Sequence, residues 1–387
     1  MPDETKVDVY YGPLSWFEGQ IETQSYDSLL EIVYARDELQ RQIRVIVPGQ
    51  DDSDSDDRHS ERPECVVADS SDYASLSDHA ITNFAGLIRG IDPRQLYLHN
   101  PPAHVEAQMQ RFYSTTVKRY QYPAVTRKTL LQVRDDFARH LVGQVEVKER
   151  LLTALYPLTT SRRVTPVVLM LYGPSGVGKT ETAQFVNGLL GGTLLRKQFS
   201  MFHNEKFASY LFGGTHSEPS FAHDLLDRES GVILIDEFDK ANSVFHSAFY
   251  QLFDGGVFED KNYRVELGAS LIICTSNYGS EKEIRQALGD ALFSRFDALI
   301  GFQPLTQDQI RQVIDRLVDG RFSKLELDEQ DKLDASNLKR RLYAVAGKIA
   351  NVRQLGKFVD EVISLQLVRS LLDEESPNEA GDAKAAE

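Results

Sequence analysis

The sequence has little cysteine, no long apolar run and fewer basic than acidic residues. Its two cysteines, Cys65 and Cys274, cannot build a disulfide framework or a zinc cluster, which indicates a reducing compartment. The nine histidines show neither H-x-x-x-H nor H-E-x-x-H spacing, so each is interpreted as structural or solvated. The first residues lack the basic-then-apolar order of a signal peptide, and no run approaches the length of a membrane span. We therefore expect a soluble, cytoplasmic protein.

The excess of acidic over basic residues limits which kinds of partner the chain is expected to bind. With 43 basic and 58 acidic residues the chain has a formal charge of −15. Such a surface repels phosphate backbones, so nucleic acid and anionic membranes are unfavoured as main partners, although a small basic groove could still exist. The length of 387 residues suggests two or three domains.

The most informative stretch is an apolar run at 167–172 followed by G-x-x-x-x-G-K-T. Glycines let the backbone curl so that its N–H groups point at phosphate oxygens, the lysine reaches the β- and γ-phosphates, and the threonine hydroxyl binds Mg²⁺. Residues 180–190 have helical apolar spacing, and a helix amino terminus also favours phosphate. The sequence thus predicts an ATP and Mg²⁺ site formed by Gly173, Pro174, Ser175, Gly176, Val177, Gly178, Lys179, Thr180 and Glu181.

A second buried strand is predicted at 231–237, GVILIDE, and it ends in two carboxylates. Ligands collect at the carboxyl ends of parallel strands. We expect Asp236 to hold Mg²⁺ through water and Glu237 to take a proton from the attacking water. The alternative is that the two acids cap a helix.

Three further candidates follow from position. The apolar run 269–276 delivers Asn277, whose amide could orient the water beside the γ-phosphate. Arg295 stands just before the predicted strand 298–302, and Arg353 begins the helical pattern 352–372. A glycine break between two helices around Val142 places backbone where an adenine ring could lie.

The chain divides by composition. Residues 1–125 carry no motif, and their acidic segment 51–62 is predicted to be a flexible loop. We expect an α/β core at 126–303, a helical lid at 304–372 and a disordered acidic tail at 373–387.

These motifs together resemble the AAA+ ATPases, and within them the C-terminal ATPase domain of the Clp and Hsp-type unfoldases. The resemblance covers roughly residues 129–372. It rests on six segments in order: V-G-Q at 142–144, GPSGVGKTETA, ILIDEFDKA, the stretch from HSAFYQLFDGG to TSNYGS, LFSRFDALIGFQPL, and N-V-R-Q-L at 351–355. It implies an α/β fold: a P-loop AAA+ core, a parallel sheet with helices on both faces, and a C-terminal helical lid. A mixed α+β N-terminal domain is expected before it.

The resemblance also implies roles at matching positions. They are a Walker A pair at Lys179 and Thr180, a Walker B pair at Asp236 and Glu237, sensor 1 at Asn277, an arginine finger at Arg295 and sensor 2 at Arg353. The family's arginine finger reaches the nucleotide of the neighbouring subunit. A homo-oligomer, either a hexamer-like ring or a helical filament, is therefore expected.

One departure affects the functional interpretation. The unfoldases grip substrate with an aromatic flanked by glycines, whereas the corresponding stretch 210–221 is YLFGGTHSEPSF. Phe212 or Phe221 could substitute, but the match is poor. The first hypothesis is an ATPase that remodels a protein partner captured by the N-terminal region. The alternative is an ATP-gated assembly or signalling scaffold that recruits a partner without threading it. A DNA-loading ATPase is disfavoured by charge.

Overall fold

The computed structural model describes residues 4–22, 24–41, 62–160, 162–201, 205–346 and 352–375. The predicted flexible loop, apart from Arg62, lies outside these residues. So do Asn351 of the last motif and the tail from residue 376 onward. Among the described helices, none has both the length and the apolar character that crossing a bilayer requires.

The N-terminal part of the chain forms a five-stranded parallel sheet in the order β2-β3-β4-β1-β5. Its elements are β1 Lys6–Tyr11, α1 Leu14–Ile21, β2 Asp27–Ser28, α2 Leu29–Arg41, β3 Cys65–Ala68, α3 Asp72–Ser75, α4 Asp78–Thr82, α5 Phe84–Ile91, β4 Gln95–His99, α6 Ala103–Phe112 and β5 Ser114–Arg119. Strands and helices alternate, so this part is α/β rather than the mixed α+β arrangement expected. The strands are short, from two to six residues.

A second five-stranded parallel sheet follows, in the order β12-β6-β11-β8-β7. An antiparallel hairpin, β9 with β10, lies beside it. The elements are α7 Arg127–His140, α8 Val145–Leu155, β6 Val167–Tyr172, α9 Lys179–Leu190, β7 Leu195–Gln198, α10 Glu205–Phe212, α11 Phe221–Leu226, β8 Val232–Asp236, α12 Tyr250–Gly255, β9 Val257–Glu259, β10 Arg264–Glu266, β11 Leu271–Thr275, α13 Glu281–Phe293 and β12 Ala298–Gly301.

The second sheet is covered on both faces. Side chains alternate along a strand, so Val168 and Met170 of β6 enter one apolar core while Val167 and Leu169 enter another. All four are fully buried. The continuous apolar runs of β6, β8 and β11 are therefore explained by helices packing on each side.

The last described part is helical and has its own apolar core. Ile314, Leu338 and Val359, from three different helices, are fully buried in it. Its elements are α14 Gln307–Phe322, α15 Leu327–Asp331, α16 Ala335–Ala346 and α17 Val352–Glu375. The domain boundaries at 125 and 303 remain predictions.

The first sheet packs firmly against the second part of the chain. The Ala103 N–H donates to the Asn262 carbonyl at 2.8 Å, and the Tyr122 hydroxyl donates to the Leu226 carbonyl at 3.1 Å. The buried Arg228 guanidinium lies 3.7 Å from the Tyr122 ring centroid. One apolar core runs continuously from the first sheet into the second.

This shared core predicts cooperative unfolding. Met109 of α6 is fully buried in the shared core, so Met109→Ala should cost about 2–5 kcal/mol of unfolding free energy. In urea, Trp16 fluorescence, which reports on the first sheet, and far-UV circular dichroism should shift to the same lower midpoint. The exposed neighbour Gln110→Ala should change stability by less than about 0.5 kcal/mol. Two separate transitions, with only the fluorescence one shifted, would contradict a shared core.

Candidate nucleotide-binding site

Three parallel strands bring the predicted site residues to one edge of the second sheet. Strand β6 runs into the glycine loop after Tyr172, β8 ends at Asp236, and β11 is followed by Ser276 and Asn277. The register pairs Thr275 of β11 with Leu171 of β6, and Cys274 with Ile235 of β8. Since the strands are parallel and in register, their carboxyl ends meet.

Two loop positions require glycine. Gly173 has φ of 130°, and a Cβ there would lie 2.5 Å from the Phe302 carbonyl oxygen. Gly178 has φ of 107°, and a Cβ would lie 2.7 Å from Leu141 Cδ2. A side chain at either position would be strained and would clash. Helix α9 then begins at Lys179, as the motif requires.

Lys179 is held inside the loop that it closes. Its ammonium donates to the carbonyls of Gly173 at 2.5 Å and Pro174 at 2.7 Å, and to Asn277 Oδ1 at 3.2 Å. Burial lowers the pKa of Lys179 to about 8. The predicted phosphate lysine and the predicted water-orienting amide are thus in direct contact.

Thr180 and Asp236 face each other across the site. The Thr180 hydroxyl lies 3.3 Å from Asp236 Oδ1, and the Thr275 hydroxyl also donates to that oxygen. Hydroxyl and carboxylate oxygens are the hard donors that Mg²⁺ prefers. The pair predicted to hold the metal is therefore assembled in suitable form.

Glu237 occupies an uncommon backbone conformation. Its φ is 57°, in the left-handed region that non-glycine residues rarely adopt and that often marks functional sites. Its N–H donates to the Thr275 hydroxyl at 2.9 Å, and its Oε2 accepts from Gln198 Nε2 at 3.1 Å. Backbone and side chain are thus both fixed.

These groups surround a cavity of about 830 Å³. Val142 and Arg353, predicted from opposite ends of the sequence, both line it. The described lining residues are His140, Leu141, Val142, Ser175, Gly176, Val177, Gly178, Lys179, Thr180, Glu181, Gln184, Arg196, Gln198, Asp236, Glu237, Thr275, Asn277, Leu305, Val313, Arg316, Leu317, Arg321, Val352 and Arg353. Apart from Val177 of the glycine loop, the apolar members come from the segment before α8 and from the helical part.

The segment around Val142 is tied to the start of the lid. Gln144 has φ of 49°, and its side chain donates to the Gln303 carbonyl at 2.8 Å. Val142 itself packs into the apolar core of the lid. This segment therefore closes the cavity between core and lid.

Arg295 lies apart from the other candidates and is not among the described lining residues of the cavity. Its Nε donates to Asp254 Oδ2 at 2.8 Å, and its guanidinium carbon lies 4.6 Å from the Tyr250 ring centroid. Its side chain is 24% exposed. The structure thus places Arg295 away from the cavity of its own chain.

Seven of the described polar residues that line the cavity were not predicted: His140, Gln184, Arg196, Gln198, Thr275, Arg316 and Arg321. Arg196 and Gln198 lie two apart on β7 and contact Asp236 and Glu237, respectively. The signal available in the sequence was the polar run Arg-Lys-Gln on β7. Arg316 and Arg321 of α14 line the lid side, and Arg316 donates to the Arg139 carbonyl at 2.9 Å. Their positions depend on how the lid packs, which no local pattern specifies.

Comparison with known families gives a match over residues 165–330 to the AAA domain (Cdc48 subfamily). This range contains the glycine loop, both acids, Asn277 and Arg295.

Curated relatives include proteins named chaperone protein ClpB and heat shock protein 100. The chain is 27% identical over 289 residues to the chaperone protein ClpB of Aquifex aeolicus (strain VF5), covering 62% of this chain and 28% of that protein. It is 31% identical over 168 residues to ClpB of Yersinia enterocolitica, covering 40% and 19%. It is 26% identical over 286 residues to heat shock protein 100 of Trypanosoma brucei brucei, covering 65% and 33%. The chain thus spans a third or less of the length of these relatives.

Solved structures agree in fold. The S. cerevisiae Hsp104-ADP complex matches with a TM-score of 0.52 and 20% identity, covering 64% of this chain and 49% of that one. The closed-state reconstruction of Hsp104 with ATPγS and FITC casein matches with a TM-score of 0.53 and 19% identity, covering 80% and 62%. With the motifs and the geometry, these findings show that residues 165–330 match an AAA domain and that the chain is similar to ClpB and Hsp104. The fold is an α/β core with a helical part.

Proposed function

We propose that this chain is an oligomeric ATPase that binds ATP with Mg²⁺ and uses hydrolysis to change the conformation of a protein partner. The supporting observation is that Lys179, Thr180, Asp236, Glu237 and Asn277 meet at one edge of the sheet. Arg353 of the lid lines the same cavity. Because the chain matches only part of the length of its relatives, its activity as a whole protein is proposed here from its own residues.

Binding depends on the loop and the lid. Backbone N–H groups of the glycine loop and the Lys179 ammonium would bind the phosphates, replacing the carbonyls that Lys179 now contacts. The segment at Val142 would take the base between core and lid. Arg353 would contact the γ-phosphate from α17, so that loss of this phosphate loosens the lid.

Hydrolysis depends on the two acids and the amide. Water attacks the γ-phosphorus, the bond to the β-phosphate oxygen breaks, and Glu237 takes the proton of the water. Asn277 would orient that water from the adjacent strand end. Thr180 and Asp236 would hold Mg²⁺, which neutralises charge on the β- and γ-phosphates when bound.

The position of Arg295 is an argument for assembly into an oligomer. It lies outside the cavity of its own chain and is partly exposed, as expected for a guanidinium that stabilises the transition state in a neighbour's site. In an assembly it would leave Asp254 for the phosphates of the adjacent subunit. A monomer should then be a poor ATPase.

A second candidate is a nucleotide-gated scaffold that recruits its partner without threading it. The stretch 210–221 corresponds, by the resemblance, to the gripping loop of the unfoldases, and it packs against the rest of the chain. Asn262 Nδ2 donates to the Gly214 carbonyl at 3.2 Å, and the His216 ring centroid lies 5.3 Å from that of His104. Phe221 is fully buried, although Phe212 is 45% exposed. This packing favours the scaffold over polypeptide threading.

Glu237→Gln separates binding from turnover. Loss of the base should lower ATP hydrolysis by about 10²–10⁴-fold while nucleotide affinity is kept, because the phosphate contacts remain. Phosphate release measures the hydrolysis rate, and nucleotide titration measures the affinity. Glu18→Gln, an exposed change on α1, should leave both unchanged.

Imaging of the Glu237→Gln protein with ATP then distinguishes the two candidates. Remodelling by threading predicts a ring with density in a central channel, whereas the scaffold predicts an assembly without such density. Hydrolysis at the normal rate would remove Glu237 from its proposed role.

Arg295→Ala should abolish turnover, by about 10³–10⁵-fold, with nearly unchanged nucleotide affinity. Mixing it with Lys179→Ala should restore part of the activity, because one copy supplies the loop and the other the guanidinium. Arg285→Ala removes an exposed arginine of the preceding helix, α13, and should keep turnover. Failure of the mixture to hydrolyse ATP would exclude a shared site.

The buried lysine predicts a pH dependence of nucleotide binding. Lys179 loses its proton above about pH 8 in the free protein, whereas bound phosphates would stabilise the ammonium and raise its pKa. ADP affinity should therefore be flat below this pH and fall by up to about tenfold per unit above it. Fluorescent ADP titrations between about pH 7.5 and 9.5 measure this. The ADP affinity that remains in Lys179→Arg should not change with pH over this range, since guanidinium does not titrate there. A wild-type ADP affinity that is independent of pH would contradict the role of Lys179 in binding phosphate.

A further inference from the structure

Asp236 is fully engaged by protein groups. Its Oδ1 accepts from the hydroxyls of Thr275 and Thr180, while its Oδ2 accepts from Arg196 through Nε at 3.1 Å and through a second guanidinium nitrogen. The carboxylate side chain is only 7% exposed. The residue proposed to hold Mg²⁺ is thus already paired with a cation.

The strand register explains this pairing. Strand β7 lies beside β8, with Gln198 opposite Asp236 and Arg196 opposite Leu234. Residues two apart on a strand point to the same side, so β7 supplies one side chain to each member of the acid pair. Lys197, on the other side, pairs with Asp224 instead. The position of Arg196 therefore follows from the backbone.

The pairing of Arg196 with Asp236 offsets the electrostatic cost of burying the carboxylate. A buried carboxylate without a partner is costly, and Asp236 lies next to Glu237 in the chain. Lys179 donates to the Gly173 and Pro174 carbonyls and to an amide rather than to this carboxylate. In the part of the chain that the structure describes, Arg196 is the cation in direct contact with Asp236.

We propose that Arg196 is a built-in counter-cation of Asp236 that keeps Mg²⁺ out of the nucleotide-free site and releases the carboxylate when metal and nucleotide bind together. This inference rests on the proposed function, since it uses Asp236 as a metal-holding residue. The Arg196 side chain is 38% exposed, so it has a route toward solvent. Metal binding then becomes conditional on nucleotide. The phosphates supply the negative charge that pairs with the guanidinium once the Asp236 carboxylate has left it.

The test uses Mg²⁺ alone and the full chain. Arg196→Gln keeps an amide donor but removes the charge, and it should bind Mg²⁺ about tenfold tighter or more in calorimetric titration without nucleotide, because a nearby positive charge repels the ion. The melting temperature of the variant should fall in EDTA and recover with Mg²⁺. Arg264→Gln removes an exposed arginine that pairs with Glu259 and should match the wild type in both measurements. Metal affinity that is unchanged or weaker in Arg196→Gln would overturn the proposal.

A second variant isolates charge from shape. Arg196→Lys keeps the positive charge, so its Mg²⁺ affinity should stay close to that of the wild type. Metal binding as tight as in the glutamine variant would overturn the proposal, because charge would then not be what excludes the metal.

A wild-type measurement avoids any folding defect. In arginine-labelled protein, the Arg196 Nε–H resonance, assigned by its loss in Arg196→Lys, should be protected in the free protein and with ADP in EDTA. It should lose protection with ADP and Mg²⁺, and persistence there would also overturn the proposal. If the wild type binds neither ADP nor ATP with Mg²⁺, the proposed function itself fails. If it binds them but Arg196 does not respond, the inference alone fails.

Discussion

The hydrogen-bonded ladder of β6, β11 and β8 is the constraint on which the nucleotide site depends. Lys179 and Asn277, 98 positions apart in sequence, come within hydrogen-bond distance because these strands are parallel and in register. A slip of one residue in β8 would turn Asp236 to the opposite face of the sheet. The fully buried valines, leucines and isoleucines on both faces make such a slip unfavourable. Packing far from the phosphates therefore determines the chemistry at the strand ends.

Most of the core was predictable because its signals are local. The bounds Val167–Tyr172 agree with the predicted run, and the strand that ends at Asp236 is one residue shorter at each end than the predicted run 231–237. An apolar run of a few residues that ends at a glycine or at acidic residues is enough to predict a buried strand and its end. The phosphate loop, the acid pair and Asn277 were found for the same reason.

What escaped prediction depends on contacts between distant segments. The roles of Arg196 and Gln198 follow from the pairing of β7 with β8, and those of Arg316 and Arg321 from the packing of the lid. The parallel order of the first sheet depends on crossovers between strands as short as Asp27–Ser28, whose pattern is too brief to read.

The continuous apolar core between the two sheets has an evolutionary consequence. Modules are exchanged most easily where few contacts cross their boundary. Here a recombination event that replaced the N-terminal part would remove the Ala103 N–H that donates to the Asn262 carbonyl and would leave Arg228 without the Tyr122 ring. Descendants of this chain can therefore diversify the N-terminal surface residue by residue, but they cannot trade the whole unit for another without rebuilding the wall of the ATPase.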